Sequence, residues 1–259
     1  MIKIPPLRTR RLTVTMEELS IGDSMGIAAM PTGRPQAECT AFLRAAIGTS
    51  PGVPDPAQWT VQERAHAVAW YMAATLDDGP DFSLGAGHYS DYLDGTADIK
   101  LPVCTAPAGE LAGDTWHIRH LTGAMAESIE RTEGEIPGQS GRAHWIFGTM
   151  AAQLIREGED VPDGTGSEGA FDEFLVGRMQ ILKGFPASDF DALFGMFFDG
   201  REALHHLMRI EIGKEGLVVM PKEMKGGVAS DLPPCTFPAR PALSRLARDL
   251  VHQLNGDGQ

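Results

Sequence analysis

Three groupings in the sequence hold the residue types that chemistry uses. Gly164-Thr165-Gly166-Ser167-Glu168-Gly169 has the G-x-G-x-x-G spacing that, behind a parallel strand, cradles a pyrophosphate on helix N-terminal amides. No strand pattern leads into it, and Glu159, Asp160, Asp163 and Glu168 put negative charge where phosphate would lie, so it reads as an exposed loop. His117 and His120 converge on a metal only if they share a helix. Residues 116–121 alternate apolar and polar instead, the period of a strand, which sets the two rings on opposite faces. His205 and His206 are adjacent and diverge on any regular backbone. Gly138-Gln139-Ser140-Gly141 lacks the G-x-S-x-G spacing of a nucleophile elbow. Cys39, Cys104 and Cys235 stand singly, with no C-x-x-C pair, and read as reduced, buried thiols. The carboxylate pairs Asp189/Asp191 and Glu127/Glu130 divide acid and base roles only when one member is desolvated; as helix-surface acids they are solvated. No cofactor, no metal and no catalytic residue is expected from these patterns.

The elements that would position such residues are mostly helical. Arg11-Leu12-Thr13-Val14-Thr15-Met16 alternates like a half-buried strand. Asp23 is placed to cap a short helix reaching toward Met30, and Pro35 stands in the first turn of another running to Ile47. Thr60-Val61-Gln62-Glu63 has capping-box spacing ahead of the apolar run 65–76, in which Ala69, Met72, Ala73 and Leu76 share a face. Residues 77–107 are rich in turn signals, with short strands expected at 83–84 and 99–104. Thr122 can cap a helix over 123–131, and an apolar helix is expected over 143–156. Strand, short helix, loop and longer helix thus occur twice, over 10–47 and 116–156, the pattern of an internal duplication.

Residues 158–169 are acidic, small and turn-rich, the composition of a flexible linker. Beyond them come two helices expected to pack on each other, the second capped by Ser188, and then a hairpin through Gly213-Lys214-Glu215-Gly216. A proline-rich arm over 226–241 ends in an amphipathic helix with Leu243, Leu246, Leu250 and Leu254 on one stripe. The fold class is α+β and helix-rich, with short strands or hairpins and two helical subdomains. Its divisions are 1–157, a linker at 158–169, a helical pair with a hairpin at 170–225, and an arm with its helix at 226–259.

Net charge of −13 repels phosphate backbones and excludes nucleic acid as the main partner. The charge is lopsided, since residues 1–16 hold Lys3, Arg8, Arg10 and Arg11 with no acid. A basic head on an acidic body suits docking on an acidic neighbour, or else a strand with solvated outward arginines. No run of 18 apolar residues marks a membrane span, and residues 1–11 lack the apolar stretch of a signal peptide. Trp59, Trp70, Trp116, Trp145 and the cluster Phe190, Phe194, Phe197 and Phe198 read first as core, with one aromatic of the cluster as an alternative interface residue.

Leu12-Thr13-Val14, then Leu19-Ser20-Ile21-Gly22-Asp23, then Cys39 to Ile47, then Trp59-Thr60-Val61-Gln62-Glu63-Arg64 resemble proteins encoded among the tail genes of tailed bacteriophages, which are baseplate or tail-assembly components. The resemblance covers the first 80 residues and, less closely, the unit at 116–131. It implies a non-catalytic protein made in the host bacterial cytoplasm, acting by protein–protein interaction as a virion tail or baseplate part or as a tail-assembly chaperone. The implied partners are other phage tail or baseplate proteins in a hetero-oligomeric assembly, without membrane. Relatives with a cysteine cluster near the C-terminal hairpin would suggest zinc, but residues 207–221 here contain no cysteine. The expected contacts are Arg8, Arg10, Arg11, Phe237 and Arg240. Two other readings stand beside this one: a small hydrolase or transferase using His117, His120 or His144 between subdomains, and a regulatory binder of a host protein.

Overall fold

A computed structural model describes residues 2–77, 79–94, 98, 105–166, 168–223 and 230–256. The fold is helix-rich α+β, as the sequence predicts, with eight α-helices and four small antiparallel sheets among the described residues.

Strand β1 (Leu7–Arg8) turns back into β2 (Thr13–Met16), where the alternation buries Val14 and Met16 and exposes Thr13 and Thr15. Helix α1 (Ile21–Ala28) begins two residues before Asp23, so Ser20 is its cap: the Ser20 hydroxyl accepts from the Asp23 amide and donates to its carboxylate. Helix α2 (Pro35–Ala46) opens on its proline and runs straight into β3 (Ile47–Thr49), which pairs with β2. Helix α3 (Val61–Thr75) carries the expected capping box at Thr60 and Glu63. A small hairpin of β4 (Ser83–Leu84) and β5 (Gly87–His88) follows. The strand expected at 99–104 lies outside the described residues, as does Cys104.

The second half follows the same order. Strands β6 (Thr105–Leu111) and β7 (Asp114–Arg119) form a hairpin; α4 (Gly123–Arg131) and α5 (Gly141–Gln153) come next; β8 (Leu154–Arg156) leaves α5 without a break and pairs with β7. Both sheets have the second strand of their hairpin in the centre. The halves join where the residues that cap α3 and α4 pair with each other. Thr60 and Thr122 form an antiparallel bridge, the Val61 amide donates to Leu121 O at 2.9 Å, and the Gly123 amide donates to Trp59 O at 2.9 Å.

Three expectations about the later chain are corrected. Helices α6 (Glu168–Lys183) and α7 (Ala187–Ala203) have different main partners: α6 lies along α5 and α4, burying Phe171, Leu175 and Met179, whereas α7 crosses β6 and β7. The close approach of α7 needs Gly200, where a Cβ would stand 2.7 Å from Ile118. Helix α7 starts after Pro186, so Ser188 lies inside its first turn. The acidic stretch before α6 is tied down. Arg119 donates to the carbonyls of Val161 and Pro162, and Arg178 pairs with Glu159 at 3.0 Å. Those two arginines lie outside the stretch, so its own composition suggests a free linker.

The hairpin β9 (Ile210–Ile212) and β10 (Leu217–Val219) forms where expected, and Cys235 bridges to Val219. Cys39 and Cys235 are half-buried and not in a disulfide. Helix α8 (Arg245–Gly256) docks on α1. Its buried face is Ala247 and Val251, with Leu243 buried just ahead of the helix; of the expected leucine stripe Leu246 and Leu250 are exposed, and the side chain of Leu254 lies outside the described residues. Trp59, Trp116, Trp145 and Phe197 are core, while Trp70, Phe190, Phe194 and Phe198 are partly buried against it.

Candidate functional site

The seam between the halves holds a cluster of buried polar groups, Thr60, Glu63, His120 and His206. Glu63, 1 % exposed, accepts from the Thr60 amide at 2.9 Å and pairs with Arg11 Nε at 3.2 Å. Burial raises its pKa, and Arg11 opposes the rise. The Thr60 hydroxyl, which accepts from the Glu63 amide, also meets His206 Nε2 at 2.9 Å. His206 Nδ1 lies 3.0 Å from Leu204 O, a carbonyl that can only accept. Nδ1 therefore carries the proton and Nε2 accepts from Thr60, which makes His206 a neutral imidazole. Burial pushes its pKa down to about 4. His205 points the other way, 3.3 Å from Asp94.

His120, just past the end of β7, sets its ring edge-on to His206 with centroids 5.0 Å apart. It is 7 % exposed, and neither ring nitrogen has a hydrogen-bond partner. Burial, then His206 and Arg11, push its pKa down to about 3. A buried donor or acceptor left unmade costs about 1–3 kcal/mol, so such a ring in a well-packed seam needs a reason. It lines a cavity of about 270 Å³ together with Gln62 on the first turn of α3, Gln153 at the end of α5, Asp199 and Glu202 on the last turns of α7, and His205. Gln62 Oε1 is likewise buried without a partner. Gln153 Nε2 is committed to Arg119 O at 2.8 Å. Arg201 is committed to Glu211 at 3.3 Å and to Ile210 O, and Arg209 to Glu202 at 3.2 Å and Glu223 at 3.1 Å.

This arrangement can bind a polar group but has little of a catalytic constellation. Among the described residues no carboxylate orients His120 and no thiol lines the cavity. Of His117, His120 and His144, His120 alone lines it: His117 lies within β7 opposite Ile155, and His144 is fully buried with Nε2 2.6 Å from Ile129 O. Among the described residues, no group of three or more His, Cys, Asp or Glu side chains is placed to hold a metal ion.

The five expected contact residues go to different places. Arg8 and Arg10 are exposed on the N-terminal hairpin, and the Arg10 amide donates to Asp98 at 2.8 Å. Arg11 turns inward onto Glu63 and donates to Gln58 O. Phe237 and Arg240 are corrected from partner contacts to internal ones. Phe237 is 7 % exposed, its ring set edge-on to Phe82, Tyr89 and Tyr92 with centroids 6.1–6.4 Å away. Arg240 binds the buried Glu38 at 2.6 Å and the carbonyls of Ala28 and Met30 at 3.0 and 2.7 Å. Their partners lie far back along the chain, around residues 82–92 for Phe237 and 28–38 for Arg240, so nothing nearby in sequence signals an inward role. Gln62 and His206 join the site unannounced, apart from the capping box beside Gln62.

The largest unsheltered apolar side chains are Ile181, Leu246, Ile21, Ile2 and Leu250; the two leucines lie one turn apart on α8. No family model, no curated protein and no solved structure matches the chain.

Proposed function

We propose that this chain is a non-catalytic assembly protein of a tailed bacteriophage, a tail or baseplate component or a tail-assembly chaperone, that works by binding other tail proteins. The observation that carries this reading is α8. A helix docked through Ala247 and Val251, with Leu243 buried just ahead of it, holds Leu246 60 % and Leu250 37 % exposed on one neighbouring face. Two solvated leucines one turn apart, at the end of an arm, suit a helix-to-surface contact. The resemblance of residues 10–80 to tail-gene products supplies the class of partner. The acidic net charge favours a protein over a nucleic acid. No helix among the described residues is long and apolar enough to cross a membrane.

The test is mass spectrometry of purified particles beside size-fractionated lysate of the producing cells, with the wild-type chain and with Leu246→Asp/Leu250→Asp. Stoichiometric presence in particles identifies a structural part, and presence only in a soluble complex with a tail protein identifies a chaperone. The double variant is expected to leave either complex. A wild-type chain that is a free monomer in every fraction sinks the proposal.

A further inference from the structure

We propose that the cavity beneath the end of α7 is a recognition pocket for a guanidinium-type cation, an organic group that is positively charged and donates several hydrogen bonds. This goes beyond the assembly role and relies on it only for one of the two sources of the cation considered below.

The argument starts from what the lining has left to offer. Gln62 Oε1 is an acceptor without a partner, and His120, a neutral ring, has one lone pair and one N–H without partners. Burial keeps that ring uncharged, so it does not repel a cation. The cationic side chains of the lining are already held, Arg201 by Glu211 and Arg209 by Glu202 and Glu223. Asp199, exposed at the rim, has no ion pair or hydrogen bond among the described residues. An anion would meet no uncommitted cation here and would face Asp199. A metal ion would lack its ligand set. Oε1 of Gln62, the lone pair of His120 and the Asp199 carboxylate, all acceptors lining the one cavity, suit a planar cation with several N–H donors. The field of a chain with net charge −13 draws it in.

Two sources present this chemistry: a free small guanidinium compound and an arginine side chain of a partner protein. Their difference is what lies beyond the cation, and two probes separate them. Full-length chain labelled with ¹⁵N is titrated with agmatine and with a blocked Gly-Arg-Gly tripeptide, following the histidine rings by long-range ¹H–¹⁵N spectra. Saturable shifts at His120, with His144 unmoved, are expected for at least one probe. The citrulline counterpart of the tripeptide and an uncharged urea analogue of agmatine should bind at least about tenfold more weakly. Asp199→Asn and Gln62→Leu should each weaken binding several-fold while the His144 signals keep their wild-type positions, which reports an intact fold. Binding of agmatine alone assigns a free cation; equal binding of the tripeptide assigns a partner's arginine. The proposal is overturned if neither probe shifts His120 at millimolar concentration, if the uncharged analogues bind equally, or if Asp199→Asn changes nothing. The pocket then holds water only.

Discussion

Acidification from pH 8 to pH 5 should weaken this fold sharply, because three imidazoles are buried as neutral groups. His66, His120 and His206 are 6 %, 7 % and 0 % exposed, and burial lowers their pKa values from 6.5 to about 4, 3 and 4. Below pH 6.5 the unfolded chain takes up protons that the folded chain refuses, so stability falls as pH drops toward the folded values. At pH 5 each ring then costs about 2 kcal/mol relative to pH 8, about 6 kcal/mol for the three.

Glu130 works in the opposite sense. Its carboxylate accepts from the Gln36 and Ala37 amides at the start of α2, yet burial raises its pKa from 4.5 to about 7. The folded state therefore holds a proton between those values that the unfolded state has lost, which returns about 2.5 kcal/mol on going from pH 8 to pH 5. These four groups together lose about 3–4 kcal/mol, a large part of the 5–15 kcal/mol that typically stabilises a domain, and Glu63, whose pKa burial also raises, lessens that loss. Urea unfolding followed by tryptophan fluorescence at half-unit pH steps measures it directly, since Trp59, Trp116 and Trp145 are buried. His66→Asn should remove about 2 kcal/mol of the pH dependence while lowering stability at pH 8. Stability level to within about 1 kcal/mol from pH 8 to pH 5 would refute the neutral-histidine reasoning.

Other perturbations have equally definite expectations. Arg240→Ala leaves Glu38 charged and buried without its partner, which should cost on the order of 3 kcal/mol in urea unfolding and speed proteolysis within residues 230–244. At Gly123 a Cβ would fall 1.8 Å from Arg64 Nη1, and Arg64 is held by Gln36 O and Thr40, so Gly123→Ala should destabilise by about 2 kcal/mol or more. Gly26→Ala, on an open face of α1 with nothing within 4 Å, should instead raise stability by about 0.5–1 kcal/mol. Leu246→Asp/Leu250→Asp should shift the melting temperature little, both side chains being substantially exposed, while abolishing copurification of a tail protein.

The parts of the fold that were readable from sequence are those whose cause fits within one turn or one hairpin. Thr60 and Glu63 announce α3 because the two groups that satisfy each other are three residues apart. Thr122 caps α4, and Gly213 to Gly216 closes β9 onto β10, for the same reason. Arg11 was singled out by its charge, but its partner Glu63 is not its neighbour in sequence, so the sign of its role, inward clasp rather than outward contact, could not be read. The site depends on still longer range: Thr60 and His206 are 146 residues apart, and nothing near His206 marks the hydroxyl it meets. The arm shows the same limit. Its prolines suggest extension, but whether Phe237 and Arg240 face solvent depends on Tyr89, Tyr92 and Glu38. On α8, residue size favours the leucines, whereas docking on α1 buries the smaller Ala247 and Val251.

The clasp of Arg240 on Glu38, spanning 202 residues, also sets an order of events during synthesis. The first helix acquires its covering helix only when the last one has emerged from the ribosome. Until then the nascent protein presents Glu38 without Arg240, and the rings of Phe82, Tyr89 and Tyr92 await Phe237. Contacts of such separation are slow to form because the intervening chain must be organised first. Completion of this fold thus waits on synthesis of the arm and α8. A factor that occupied the unfilled groove before the arm arrived would compete with residues 237–251, giving the cell a brief interval in which to hold the chain open.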